Sequence, residues 1–236
     1  MTRKKIVLTG ASKGIGKAIA VKFAAENWDV AVCSRNEENL TDLIKSYEKV
    51  EGSDHIVYAC DVSEENELKG FVDTIQKNWG QVDVLVNNAG VFFPGGLMEE
   101  EEGALRQMLD TNLMSTYLMC RWLVPAMISR KKGLVVNVCS TASKSAYANG
   151  GSYSISKYAQ YGLTRNLREE LKDTGVGVTA LLPGPTFTDS WKGSGLPEDR
   201  FVDPGDIAEL VFNLTNMHPQ SLVEELTIRP QLGDIN

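Results

Sequence analysis

Ile6-Val7-Leu8-Thr9-Gly10-Ala11-Ser12-Lys13-Gly14-Ile15-Gly16 is the stretch on which the fold turns. Ile6-Val7-Leu8 is continuously apolar, as a strand covered on both faces is. From Gly14 to Glu26 the apolar residues Ile15, Ile19 and Phe23 recur at helical spacing. The glycines between strand and helix let backbone approach a pyrophosphate, and the helix N-terminus supplies donors and positive potential. The spacing differs from G-x-G-x-x-G and lacks the Gly-Lys-Ser/Thr ending of an NTP-binding loop. The plain alternative is a structural strand-to-helix turn, and the position after the first strand argues against it.

Outward from this loop the pattern repeats. Val30 to Cys33 reads as a second strand, and Asn36 as the cap of a helix holding Leu40, Leu43, Ile44 and Tyr47. His55 to Cys60 is a third strand, and Asp61-Val62-Ser63 leads into a helix with Leu68, Phe71, Val72, Ile75 and Trp79. Val82 to Val86 follows as a strand, then a long helix from about Thr111 to Arg130, then the strand Leu134 to Val138. A helix over Ser152 to Lys172, a strand over Val176 to Leu182, and a helix opened by Asp203-Pro204 and running through Leu214 come next. Glu224 to Ile228 is the last strand. Apolar strands alternating with amphipathic helices predict an α/β fold, a parallel sheet with helices on both faces. With no linker, repeat or low-complexity tract, residues 1–236 are expected to form a single domain. Pro183 to Pro204 is rich in breakers and predicts a substrate lid at about 185–203. Glu99 to Glu102 is read as a first helical turn favoured by the macrodipole.

The composition excludes several classes. Net charge is −7, with 24 basic against 31 acidic residues and no long basic run, so nucleic acid is not the expected partner. No apolar stretch approaches the ~20 residues of a membrane span, and no signal peptide precedes the first strand; a cytoplasmic protein is expected. The 4 cysteines, Cys33, Cys60, Cys120 and Cys139, sit in apolar segments without a C-x-x-C pair and read as reduced, buried thiols. The 2 histidines are far apart, so no metal site is expected.

Tyr153-Ser154-Ile155-Ser156-Lys157 places a phenol and an ammonium on one face of a helix. A free Tyr titrates near ~10. A neighbouring cation lowers that value toward the range useful for acid/base work. Taken alone, the pair reads more simply as a solvated helix face.

Five marks stand in order along the chain: Thr9-Gly10-x-x-x-Gly14-x-Gly16, Asn87-Asn88-Ala89-Gly90, Asn112, Ser140 ahead of Tyr153-x-x-x-Lys157, and Pro183-Gly184-x-x-x-Thr188. Together they resemble the short-chain dehydrogenase/reductase family. The resemblance implies a doubly wound Rossmann-type sheet of about seven parallel strands, and hydride transfer between a nicotinamide cofactor and an alcohol/carbonyl pair. It implies Tyr153 as acid/base, with Lys157 binding the nicotinamide ribose and lowering the Tyr153 pKa. Ser140 would hold the substrate oxygen, and Asn112 would position a water in a proton relay behind Lys157. Ser140 as a strand-ending turn and Asn112 as a helix cap are the plain alternatives. The implied cofactor contacts are Gly10, Ser12, Lys13, Gly14, Ile15 and Gly16 in the loop, Ser34 and Arg35 after the second strand, and Asp61 and Val62 at the adenine. Asn88, Ala89 and Gly90, then Tyr153 and Lys157, and finally Pro183, Gly184, Thr186 and Thr188 complete that set. Asp61-Val62 also reads as a helix cap.

NAD-specific folds put Asp or Glu at the end of the second strand. Here Ser34-Arg35 stands there, and Arg35 offers a planar donor fork to a 2′-phosphate, with Lys13 in reach. NADP(H) is therefore expected over NAD(H). Phe92, Phe93, Thr141, Tyr147, Phe187 and Trp191 near the motifs suit a partly apolar small-molecule carbonyl or alcohol, though core or lid packing accounts for them equally. A 3-oxoacyl carrier-protein reductase is an alternative. Against it, the chain ends in Glu224-Glu225-Leu226-Thr227-Ile228-Arg229-Pro230 rather than a Gly-rich tail; Arg130-Lys131-Lys132 could dock an acidic carrier but reads first as a solvated loop. A catalytically silent nucleotide-binding relative, regulatory or scaffolding, is the alternative of another class; the full Asn112/Ser140/Tyr153/Lys157 set argues against it. Met114, Tyr117, Trp122, Tyr158 and Tyr161 exceed what one sheet face needs, so a homodimer or homotetramer through helices 111–130 and 152–172 is expected.

Overall fold

In the computed structural model, residues 3–36, 38, 40, 43, 52–188 and 195–235 are described. Ile44, Tyr47, Trp191 and the middle of the expected lid, 189–194, lie outside them. The strands are β1 Lys5–Thr9, β2 Asp29–Ser34, β3 Ile56–Ala59, β4 Val84–Asn87, β5 Gly133–Val138, β6 Val176–Pro183 and β7 Glu225–Ile228. They form one 7-stranded sheet in the order β3-β2-β1-β4-β5-β6-β7. Every pairing is parallel. The order reverses between β1 and β4, so the crevice at their carboxyl ends is the switch point where α/β sheets bind ligands.

Among the described residues the helices are α1 Gly14–Ala25, α2 Glu65–Trp79, α3 Ala104–Leu109, α4 Ser115–Arg130, α5 Gly151–Leu171 and α6 Pro204–Leu214. Strand alternation divides the core. Ile6 and Leu8 face α1 and α6, where Ile19, Phe23, Ile207 and Val211 are fully buried. Val7 points the other way, toward Phe71 and Ile75 of α2 and Met119 and Leu123 of α4. Phe23 sits edge-on to both Trp28 and Phe212, with centroids 4.9 and 5.3 Å away. Asp203 caps α6, accepting from Gly205 N ahead of a Pro at the first position.

Three expectations need correcting. The long helix begins at Ala104, well before Thr111, and passes through a wide π turn at Asp110–Met114 before continuing as α4. Asn112 is therefore inside a helix and not a cap. Apolar spacing does not register the one extra residue of such a turn. Glu99 to Glu102 lie in turns ahead of α3, not in a first helical turn. Glu100 instead reaches α5, where its carboxylate accepts from Ser152 N at 2.6 Å and from Ser152 Oγ. Its charge serves the N-terminus of a different helix. Arg130 is not solvated either, since its guanidinium bonds Val82 O and lies 3.4 Å from Asp83. That places it at the foot of β4, at the amino ends of the strands, away from the carboxyl-end switch point.

Candidate active site

The carboxyl ends of β1 and β4 are stitched together. Thr9 Oγ1 accepts from the backbone N–H of Asn88 and Ala89 at 3.2 and 3.1 Å. Asn88 Nδ2 donates to Thr9 O at 3.1 Å and Gly10 O at 2.8 Å. The closeness of the two segments explains the glycines. Gly10 has φ +71, and a Cβ there would sit 2.7 Å from Ala89 Cα. A Cβ on Gly16 would collide with Gly10 O and sit 2.6 Å from Asn88 Nδ2. The loop is thus held flat against β4, with its upper surface open.

That surface lines a cleft of about 350 Å³. Of the residues expected to touch a cofactor, Gly10, Ser12, Lys13, Gly14, Ile15, Ser34, Arg35, Asp61, Val62, Asn88, Ala89, Gly90 and Thr188 border it. Asn36, Cys60, Val91 and Thr111 border it too, and sequence reasoning did not place them at the cofactor. Gly16 lies beneath the loop as a packing residue. Pro183, Gly184 and Thr186 shape the path leading to Thr188 without lining the cleft: Gly184 N donates to Ile228 O, and Thr186 Oγ1 donates to Gly184 O. Arg35 keeps a mostly exposed guanidinium 4.0 Å from Asp61. Asp61 also accepts from the Ser63 N–H at 2.9 Å, so it makes a turn ahead of α2 and faces the cleft at once. A larger groove between α1 and α6 has mostly apolar walls and lacks a convergent acid/base set.

Beyond the cleft, α5 presents Tyr153 and Lys157 to the end of β5. The Tyr153 phenol lies beside the Ser140 hydroxyl, which favours its ionised form. Ser140 is also a turn residue, as the plain alternative held: its Oγ accepts from Ala142 N at 3.1 Å, and Ser143 Oγ accepts from Ser140 N. Asn112 is fully buried; its Oδ1 accepts from Val91 N at 2.8 Å, and its Nδ2 donates to Val91 O and Ser156 Oγ. The side chain therefore ties the loop after β4 to α5 through the π turn. Phe92 lays its ring edge-on to Tyr153 at 4.9 Å. Phe187, expected at the pocket, packs on Phe201 at 5.7 Å.

The electrostatics correct another expectation. Burial pushes the Tyr153 phenol up to about 12, and the neighbouring Ser140 hydroxyl only partly opposes this. Lys157 does not overcome this here. Its ammonium lies 5.9 Å from the Tyr153 ring centre and donates elsewhere, to Val138 O at 2.9 Å and Gln160 Oε1 at 2.8 Å. Burial also pushes Lys157 itself down to about 8. The arrangement can still give and take a proton at one point, where a hydroxyl and a phenol converge.

A family model of short chain dehydrogenases matches residues 4–198. The chain belongs to this family. An uncharacterised oxidoreductase of Staphylococcus saprophyticus is 30% identical over 227 residues, 96% of this chain and 97% of the relative. An alcohol dehydrogenase from the archaeon Thermococcus sibiricus, complexed with 5-hydroxy-NADP, superposes with a TM-score of 0.90 at 28% identity, covering 100% of both chains. A variant of the actinorhodin polyketide ketoreductase with NADPH gives 0.87 at 28% identity, covering 99% of this chain and 98% of that one. Two polar residues that sequence reasoning missed, Gln160 and Thr164, extend the acid/base face. Tyr153, Lys157, Gln160 and Thr164 recur along one face of α5, and Lys157, Gln160 and Thr164 are buried. A polar stripe at that spacing was the available signal. Among the described residues no cluster of His, Cys, Asp and Glu could hold a metal, and no helix is long and apolar enough to cross a membrane. The 4 cysteines, at positions 33, 60, 120 and 139, are free and buried.

Proposed function

We propose that this chain is an NADP(H)-dependent oxidoreductase interconverting a carbonyl compound and its alcohol, with Tyr153 as general acid and base. The observation that carries the reading is the convergence of the Tyr153 phenol and the Ser140 hydroxyl, with Lys157 one turn along α5, at the strand ends beside the glycine-loop cleft. The cleft suits a dinucleotide, because the glycine loop that floors it leads into the N-terminus of α1, where backbone donors and positive potential meet a pyrophosphate. Gly10, Ser12, Lys13, Gly14 and Ile15 would hold the pyrophosphate, Arg35 the 2′-phosphate, and Asp61 and Val62 the adenine. Asn88, Ala89 and Gly90 would line the ribose side, Tyr153 and Lys157 the nicotinamide ribose, and the Pro183–Thr188 path would close over it. The bound nicotinamide supplies the hydride. As charge develops on the carbonyl oxygen, the Ser140 hydroxyl donates a hydrogen bond to it and the Tyr153 Oη–H delivers the proton. In the reverse direction the Tyr153 oxygen takes the proton from the alcohol.

Preference for NADP(H) is supported by Ser34-Arg35 at the end of β2, where no carboxylate stands to repel a 2′-phosphate. The complexes of the two solved relatives point the same way. Phe92 beside Tyr153 and the half-exposed Tyr147 support a neutral, partly apolar substrate. NADPH and NADH oxidation across ketones, aldehydes and acyl thioesters tests both points. We expect turnover with NADPH; a preference for NADH overturns the cofactor assignment, and acyl thioesters as the best substrates favour the 3-oxoacyl reductase alternative.

Met114, Tyr117, Ile155 and Tyr158 remain exposed on the turn and helices flanking the site, which supports self-association through α4 and α5. Trp122 and Tyr161 do not belong to that face. Trp122 packs on the core beneath Lys69, and Tyr161 donates to Glu225 at 2.6 Å. Light scattering is expected to give a dimer or tetramer, and a monomer contradicts it.

A further inference from the structure

We propose that Gln160 is a positioning residue for the Tyr153–Lys157 pair, holding the Lys157 ammonium charged and fixed in place. The inference rests on the reading of Tyr153 as acid/base. Gln160 follows Lys157 by three residues on α5, so the two side chains share a face, and Gln160 is fully buried. Its Oε1 accepts from Lys157 Nζ at 2.8 Å. Its Nε2 donates to Thr116 Oγ1 at 2.9 Å, and Thr116 Oγ1 in turn donates to Asn112 O at 3.1 Å. The ammonium fixes which way the amide points, because the flipped amide would set its own N–H groups against a group that only donates.

Lys157 has three N–H donors. Val138 O and Gln160 Oε1 take two and hold the amine from both sides. One remains for the face shared with Tyr153. The titratable groups facing the amine are Tyr153 on its own helix and the Cys139 thiol after β5, pushed up to about 11 by burial and so uncharged at neutral pH. The loop after β4 and the π turn offer Gly90 and Asn112, which are neutral. The acceptors that keep a buried lysine charged are thus the Val138 carbonyl and Gln160. An apolar side chain at this position would let Lys157 lose its proton more readily, and with it the charge that favours the Tyr153 phenolate.

The test is a carbon-13 titration of the lysine ε-carbons, with Lys157→Met to assign the resonance, in the wild type, Gln160→Leu, Gln160→Glu and Thr116→Val. It needs no turnover and stands apart from the outcome of the substrate panel. Gln160→Leu is expected to lower the Lys157 midpoint by about one unit. Thr116→Val, which frees the amide without touching the amine, is expected to lower it by less, and Gln160→Glu to raise it. If the wild type oxidises an alcohol, the rise of rate with pH moves upward in Gln160→Leu and returns in Gln160→Glu. Midpoints unchanged in both folded Gln160 variants overturn the proposal. So does a loss of activity that is uniform across pH with the inflection unmoved.

Discussion

At Lys157, burial and charge pull against each other, and the balance can be read as a stability. Desolvation brings the amine down to about 8 in the fold, against about 10.4 in an unfolded chain. A value depressed on folding means that the fold prefers the neutral amine. Its favourable contribution is present above the unfolded value and is lost as pH falls through about 8. At pH 7 the charged lysine therefore costs roughly 3 kcal/mol. Lys157→Met should raise the unfolding free energy at pH 7, measured by urea denaturation, by about 1–3 kcal/mol after the stranded Val138 O and Gln160 amide are counted, and abolish carbonyl reduction. A destabilised Lys157→Met would show that hydrogen bonding outweighs desolvation at this site. The acid/base pair itself was legible, because a Tyr and a Lys four residues apart on a helix share a face. The sense of the Tyr153 shift was not. Sequence spacing does not reveal that Lys157 Nζ turns to Val138 O and Gln160 Oε1 while burial dominates the phenol.

Among the elements, α1 and α6 press on each other over one face of the sheet, and Phe23 is the side chain they share with Trp28. Phe23→Ala is expected to cost about 3–5 kcal/mol, measured by chemical denaturation. A loss under about 1 kcal/mol would mean that this seam collapses to fill the space. Between β2 and β3, Val30 N donates to His55 Nδ1 at 3.1 Å, and burial lowers the His55 pKa against the pull of Asp29 and Asp54. The fold again prefers the neutral form, so this contribution is complete above ~6.5 and is lost as pH falls through the depressed value. Denaturation at pH 7.5 and pH 5 should show a smaller drop for His55→Gln than for the wild type; equal drops contradict it. Strand positions were readable because continuous apolar runs admit few other environments, and α2 and α6 because their apolar faces are single. The π turn at Asp110–Met114 was not, since its cause is long-range: Asn112 bonds Val91 and Ser156. Glu100 on the N-terminus of α5 was hidden for the same reason.

For the molecule as a whole, the sheet order sets where chemistry can occur. The reversal between β1 and β4 opens a crevice, the glycine loop floors it, and β5 and α5 bring Ser140, Tyr153 and Lys157 to its far end. This layout was legible from the order of strands, helices and glycines, because right-handed crossovers leave few alternatives. The walls beyond the acid/base pair were less so: Phe92 lies against Tyr153, while Phe187 belongs to a different contact. Aromatic residues near a motif do not reveal which partner they will choose. The central claim is that the Tyr153 hydroxyl moves the proton while the rest of the cleft binds the cofactor. It is tested most directly by comparing Tyr153→Phe with the wild type in NADPH-dependent carbonyl reduction and in NADPH binding by fluorescence. The account predicts a loss of kcat of about 10²–10⁴-fold with the cofactor still bound. Wild-type kcat in the Tyr153→Phe protein would contradict it.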